Sequence, residues 1–171
     1  MHPSVTPLAA IFRLNTQLVL NCLEGLDENL ASRRGVPSLN SIAFLLAHLT
    51  ETRHYIATVL RHPLPSPFPP AFAKARSLDE AGALPSIATL TGYWEAISAH
   101  LAVVVERVDT SQLAQAGPRL PGADGTVLGS LAFLAHHDTY HLGQIALLRR
   151  GHGLPAMSYH LPTREPGRHG A

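Results

Sequence analysis

Residues 126–151, TVLGSLAFLAHHDTYHLGQIALLRRG, decide how this chain is read. Val127, Leu131, Leu134, Leu142, Ile145 and Leu148 recur at the spacing of one helix face. Thr126 can cap the start with its hydroxyl. Arg149 and Arg150 put positive charge where the helix dipole ends negative, and Gly151 can stop the helix. Upstream, Gly117–Gly125 contains Pro118, Pro121 and Gly122 and reads as a loop. Before it lies another stripe, Leu90, Trp94, Ile97, Leu101, Val104 and Val108, in a helix starting near Pro85. The five prolines between Pro63 and Pro70 allow no regular helix and predict an extended connection. A second helix, with Ile42, Leu45, Leu49, Ile56 and Leu60, ends before Pro63. Ser38 or Asn40 can cap it, after the interruption at Gly35-Val36-Pro37. At the front, Thr6 as cap and Pro7 as first helical residue open a stripe of Leu8, Ile11, Phe12, Leu18, Val19, Cys22, Leu23 and Leu26.

These four amphipathic segments, with no alternating strand pattern and no repeat, predict an all-α four-helix bundle. The reading is one domain over residues 1–171, with a core of about 6–155 and an irregular tail at 156–171. The loop connections are long, and the Pro-rich one between the second and third helices is long enough to cross over. Composition agrees: 46% of 171 residues are hydrophobic and only 15% are charged, which excludes a disordered chain. The 13 basic and 12 acidic residues give a net charge of +1, without the basic stripe a nucleic-acid partner needs. No apolar run approaches the roughly 20 residues that span a membrane. The first residues, MHPSVTPLAA, lack the pattern of a signal peptide. Cys22 is the only cysteine and can form no internal disulfide, which predicts a cytoplasmic setting.

The count that composition leaves unexplained is 11 histidines. His137 and His141 lie four apart, so their directions on the helix differ by only about 40°, and Gln144 returns to within about 20° of His137. A His pair at this spacing can offer two nitrogens to one metal, or it can sit on a solvated face. His48 lies in the apolar run Leu45-Leu46-Ala47-His48-Leu49, roughly 80° from that helix's core direction. It is either a core histidine bonded to a carbonyl or a third ligand. Burying three neutral imidazoles without partners costs several kcal/mol in total, and a shared cation removes that cost. Three imidazoles leave a position open for water or substrate, as catalytic metal sites do. Asp138, Glu51 and Tyr55 flank these residues and could orient an imidazole; Gln144 is expected near the ion but not on it. His54, beside Arg53, falls on the polar side of its helix, and His62, His100, His136, His152, His160 and His169 read as surface histidines.

The chain resembles the DinB-like superfamily of metal-binding four-helix bundles, which includes the YfiT-type proteins. The strongest match is His136-His137-Asp138-Thr139-Tyr140-His141-Leu142-Gly143-Gln144-Ile145, similar to the family's His-x-x-x-His-x-Gly-Gln signature. Ser41–Leu49, containing His48, resembles the segment of its first ligand. Phe12-Arg13-Leu14-Asn15 and Arg61-His62-Pro63-Leu64-Pro65 resemble its opening helix and the end of its second. Leu142 stands where many relatives have Arg, which could alter the pocket rim. The resemblance covers roughly residues 6–155. It implies a divalent metal, often nickel or zinc, on His48, His137 and His141, and frequently a homodimer. Some relatives are thiol-dependent transferases or isomerases. The expected function is therefore a metal-dependent thiol S-transferase or hydrolase acting through a metal-bound thiol or water, or a non-catalytic metal-binding or stress-response protein. Phe68 and Phe72 either supply apolar surface for the dimer or cover the bundle's end.

Overall fold

The computed structural model describes residues 3–36 and 38–159, so His160, His169 and most of the proposed tail lie outside the described residues. Four long helices carry the fold: α1 (Thr6–Leu23), α3 (Ile42–Val59), α5 (Ile87–Arg107) and α7 (Val127–Gly151). Three short ones decorate the connections: α2 (Glu28–Ser32), α4 (Leu78–Ala81) and α6 (Thr110–Leu113). A 3₁₀ turn at Phe72–Lys74 joins them, and no strand forms among the described residues.

Caps explain most boundaries. Thr126 accepts from the Gly129 amide, as its position suggested, and Ser86 accepts from Thr89. Ser41, not Ser38 or Asn40, caps α3 by accepting from Phe44. Asn40 instead bonds the chain at Arg76 and Leu78. The cap position of α1 is Val5 rather than Thr6, and no side chain fills that role. Helix α1 stops at Leu23 instead of reaching Leu26, because Gly25 turns with φ +73°. Gly151 lies inside α7, and the left-handed glycine that ends the path is Gly153. At the end of α3, Arg61 takes φ +60° while the His62 amide reaches back to the Ala57 carbonyl, a closure usually given to glycine.

The helices pack around a square, in the order α1–α7–α3–α5. Two apolar clusters give their directions. One holds Leu18–Leu23 of α1, Ile42–Leu49 of α3, Leu90 and Trp94 of α5, and Leu142–Leu148 of α7. The other holds Phe12, Ile56, Leu101–Val105 and Val127–Ala135 of the same helices. Hence α1 and α7 run one way and α3 and α5 the other. Because α3 and α5 are parallel neighbours, the chain between them must return along the bundle. The Pro-rich connection is that crossover: eight extended residues cover about 25 Å, close to the roughly 27 Å length of α3.

This strap settles the role of two aromatics. Phe68 and Phe72 are 8% and 6% exposed and pack with Phe44 and Tyr93, so they cover the end of α3 and are not spare surface for a second copy. With strap and neighbours around it, α3 is buried on every side from Ile42 to Ala47. Between the two clusters lies a layer of polar side chains at mid-height.

Candidate metal centre

The polar layer has an edge and a middle. At the edge, His48 of α3 faces His137 and His141 of α7, all partly buried. The Nε2 atoms of His48 and His137 are 3.3 Å apart, and those of His137 and His141 are 3.2 Å apart. Two imidazole nitrogens held at about 2.05 Å by one tetrahedral ion lie about 3.3 Å from each other. The spacing therefore matches an edge of such a site. Neutral imidazoles cannot satisfy these contacts alone, since each ring has one N–H and the three Nε2 atoms converge.

The surroundings fix the rings. The Nδ1–H of His141 donates to Oε1 of Gln144 at 2.6 Å, which leaves the Nε2 lone pair facing the other two rings. The Gln144 amide in turn donates to the Tyr140 hydroxyl at 3.2 Å. Phe44, one turn before His48, stacks on it with planes 9° apart. Phe133 lies against His137, and Tyr140 meets His141 edge-on. Nδ1 of His137 is buried with no hydrogen-bond partner. Burial, reinforced by the neighbouring imidazoles, pushes His48 and His137 down to about 4. Burial also lowers His141, against the pull of Gln144 and Asp138. All three rings are thus neutral, ready to ligate, near pH 7. These residues can hold a metal ion.

The middle of the layer went unread in the sequence. Arg53 of α3 is 1% exposed and uses all five of its N–H groups. It donates to Asp138 Oδ2 of α7 from Nε at 3.2 Å and from Nη2 at 2.7 Å. It also reaches the hydroxyls of Thr16 on α1 and Ser98 on α5, and the Phe12 carbonyl. Its guanidinium lies 3.7 Å from the Trp94 ring centre. One side chain therefore touches all four long helices. Burial pushes the Asp138 carboxyl up and the Arg53 guanidinium down, and their pairing opposes both. Arginine does not deprotonate in proteins, so Arg53 is a buried cation, and Asp138 is the acidic group that faces it. Asn15 of α1 adds a bond to Thr139 beside it.

A signal for this hub was present. On α3 the apolar steps Ile42, Leu45, Leu49, Ile56, Leu60 skip one turn, and Arg53 fills it. On α7 the steps Leu134, Leu142, Ile145 skip one turn, and Asp138 fills it. Opposite charges in matching gaps of two core stripes mark a buried pair.

The other expectations divide. Gln144 lies at the triad, touching it through His141. Asp138 lies beside it, facing Arg53. Glu51 accepts from Ser66 of the strap, and Tyr55 is 41% exposed; both line a groove of about 390 Å³ with His54, Thr58 and Leu64. His54 is a correction: it is buried, with Nδ1 donating to the Leu64 carbonyl, because the strap covers the face that periodicity made polar. His100 likewise pins the strap, donating from Nε2 to the His62 carbonyl. His136 and His62 are exposed as expected, whereas Nε2 of His152 is buried. Leu142 is 3% exposed in the core and takes no part in a pocket rim. Arg149 is buried too, holding the carbonyls of Cys22, Glu24 and Pro155 rather than only neutralising the helix end.

Comparison with known proteins agrees with the helical fold. A conserved protein of Enterococcus faecalis of known crystal structure superposes with a TM-score of 0.72 at 15% identity, over 88% of this chain and 97% of that one. No curated protein matches. The family profile of the DinB superfamily matches residues 11–145.

Proposed function

The chain belongs to the DinB superfamily, and from that premise we propose that it is a divalent-metal enzyme transferring or hydrolysing through an activated thiol or water. The observation that carries the reading is the convergence of three Nε2 atoms at 3.2 and 3.3 Å. Zinc or nickel suits an all-imidazole set. A divalent ion on neutral ligands supplies an uncompensated charge that lowers the pKa of a thiol, ordinarily about 8.5, or of water.

The chain's own residues do the rest. His48, His137 and His141 hold the ion from two helices. Gln144 fixes the tautomer of His141, and the Phe44 ring holds the plane of His48. Cys22 is no competing nucleophile: it is buried, and burial raises its thiol to about 11. The reading places the protein in the cytoplasm, where low-molecular-weight thiols are kept reduced, and as a homodimer, with a small thiol and an electrophile as substrates. Sedimentation at micromolar concentration tests the dimer.

A second reading, a metal-holding protein without turnover, draws support from one observation. Neither the 390 Å³ groove nor the small cavity under Arg53 is lined by the three histidines. The deciding experiment is elemental analysis after reconstitution, followed by a panel of small thiols with an electrophilic acceptor. Turnover by wild type and none by His48→Ala supports the enzyme. Stoichiometric metal without turnover selects the second reading. No bound metal defeats both.

A further inference from the structure

We propose that the Arg53–Asp138 pair is the positioning device of the metal centre, setting the axial register of α3 against α7 so that the three Nε2 atoms meet. The proposal rests on the metal reading above. Arg53 lies five residues after His48 on α3, about 7.5 Å along the axis. Asp138 follows His137 directly and precedes His141 by three on α7. Each half of the pair therefore shares a rigid helix with its half of the ligand set.

Apolar packing alone leaves this register weakly fixed. Above and below the polar layer, α3 and α7 contribute mainly leucine, isoleucine and alanine side chains to the two apolar clusters, and such side chains can be exchanged for others of similar volume at small cost. A slide of one residue's rise, about 1.5 Å, moves a ligand nitrogen well outside the spacing one ion accepts. Apart from the imidazole contact, the polar bonds joining α3 to α7 among the described residues are those of Arg53 with Asp138. Nε and Nη2 both converge on the single atom Oδ2, at 3.2 and 2.7 Å, so a slide of about 1.5 Å takes the carboxylate oxygen out of hydrogen-bond range of at least one of them. The remaining N–H groups, held by Thr16, Ser98 and Phe12, stop the guanidinium from following a shifted carboxylate. Specifying register is also the best-attested use of a buried polar group.

The experiment separates register from stability. Replacing both partners together, Arg53→Met with Asp138→Leu, removes the pair without leaving a buried charge, and such exchanges often keep or raise fold stability. Thermal unfolding of metal-free protein and titration with Co²⁺ alone are compared for wild type, the paired variant and Leu113→Ala, a core truncation on α6 away from the site. The expected result is one Co²⁺ per wild-type chain and a melting temperature retained in the paired variant. That variant should bind Co²⁺ at least about tenfold more weakly, the size of effect known for supporting residues around metals, with an altered d–d absorption spectrum. Leu113→Ala should melt earlier yet bind as wild type does. Equal affinity and an unchanged spectrum in the folded paired variant overturn the proposal. If that variant does not fold, Arg53→Lys decides, since it keeps the charge but loses the two N–H arms that converge on Oδ2: weaker Co²⁺ binding supports the proposal and wild-type binding overturns it. A wild type that binds no Co²⁺ defeats the metal reading itself, a result distinct from either.

Discussion

Two polar clusters share the mid-height of this bundle and solve opposite problems. Around Arg53 a cation is built into the chain, and its five N–H groups end on fixed acceptors from the three other long helices, its pair partner Asp138 among them. Around His48, His137 and His141 the acceptors are built in, aimed at one point, and the chain supplies no cation. In the first cluster every N–H of the cation has its acceptor once the fold forms, and Oδ1 of Asp138 is the one buried atom left without a partner. The second gains its stabilisation only from something added. The difference teaches that polarity inside a helical bundle is of two kinds, one that closes a structure and one that opens it to chemistry.

The largest break in that contrast comes from the closed cluster. Asp138→Ala leaves the Arg53 charge buried and unpaired, and should cost about 3–5 kcal/mol of stability, read from urea unfolding with and without metal. His141→Ala should do the reverse. It removes a partly buried neutral ring, so the metal-free fold should change by no more than about 1 kcal/mol, while elemental analysis finds bound metal falling from one equivalent to near none. A smaller effect is expected at the support: Gln144→Leu deprives the His141 Nδ1–H of its acceptor and should weaken metal binding about 10–100-fold with an unchanged melting temperature.

Acid sharpens the comparison further. His48 and His137 titrate at about 4 in the fold against about 6.5 when unfolded. Below pH 6.5 the unfolded chain binds more protons, so metal-free stability should fall as pH drops from 6.5 towards 4 and stay flat above 6.5. By the same shift, metal should be retained at pH 5.5, where an unperturbed imidazole would already be protonated; release there in an equilibrium dialysis series would show that the rings are not held neutral by burial. The smallest effect belongs to a pair of the same chemistry in water. Arg34 and Asp79 form a two-pronged contact at 2.6 and 3.1 Å on the surface, and Asp79→Ala should leave the unfolding midpoint within measurement error.

The two clusters also differed in how far the sequence revealed them. The triad was legible because a four-residue step between histidines is a local signal, and because His48 interrupts an apolar run. Gln144 was legible by the same arithmetic. Arg53 and Asp138 were legible only singly, each as a charge filling a gap in a core stripe; joining them as a pair needs the adjacency of α3 and α7, which exists only in three dimensions. His54 was misread for a related reason: periodicity assigns a polar face, but the strap that buries that face is an extended segment with no periodicity of its own. The four long helices followed from their stripes, whereas α2, α4 and α6 are too short for a 3.6-residue period to declare itself. That α3 and α5 run parallel could be suspected only from the length of the chain between them.

One separation has a consequence for synthesis. His48 and His137 are 89 residues apart in the chain, and Arg53 and Asp138 are 85 apart. On a ribosome, which releases the N-terminal part first, a nascent chain that has delivered α1 to α6 holds one imidazole of the three and a guanidinium without its carboxylate. Metal cannot be captured by the triad at that stage, nor can the bundle close around a charge. Both clusters are completed by the same late helix, so a full set of three imidazoles exists only once α7 has been made, and a product truncated before α7 has one imidazole of the three and an unpaired cation at its centre.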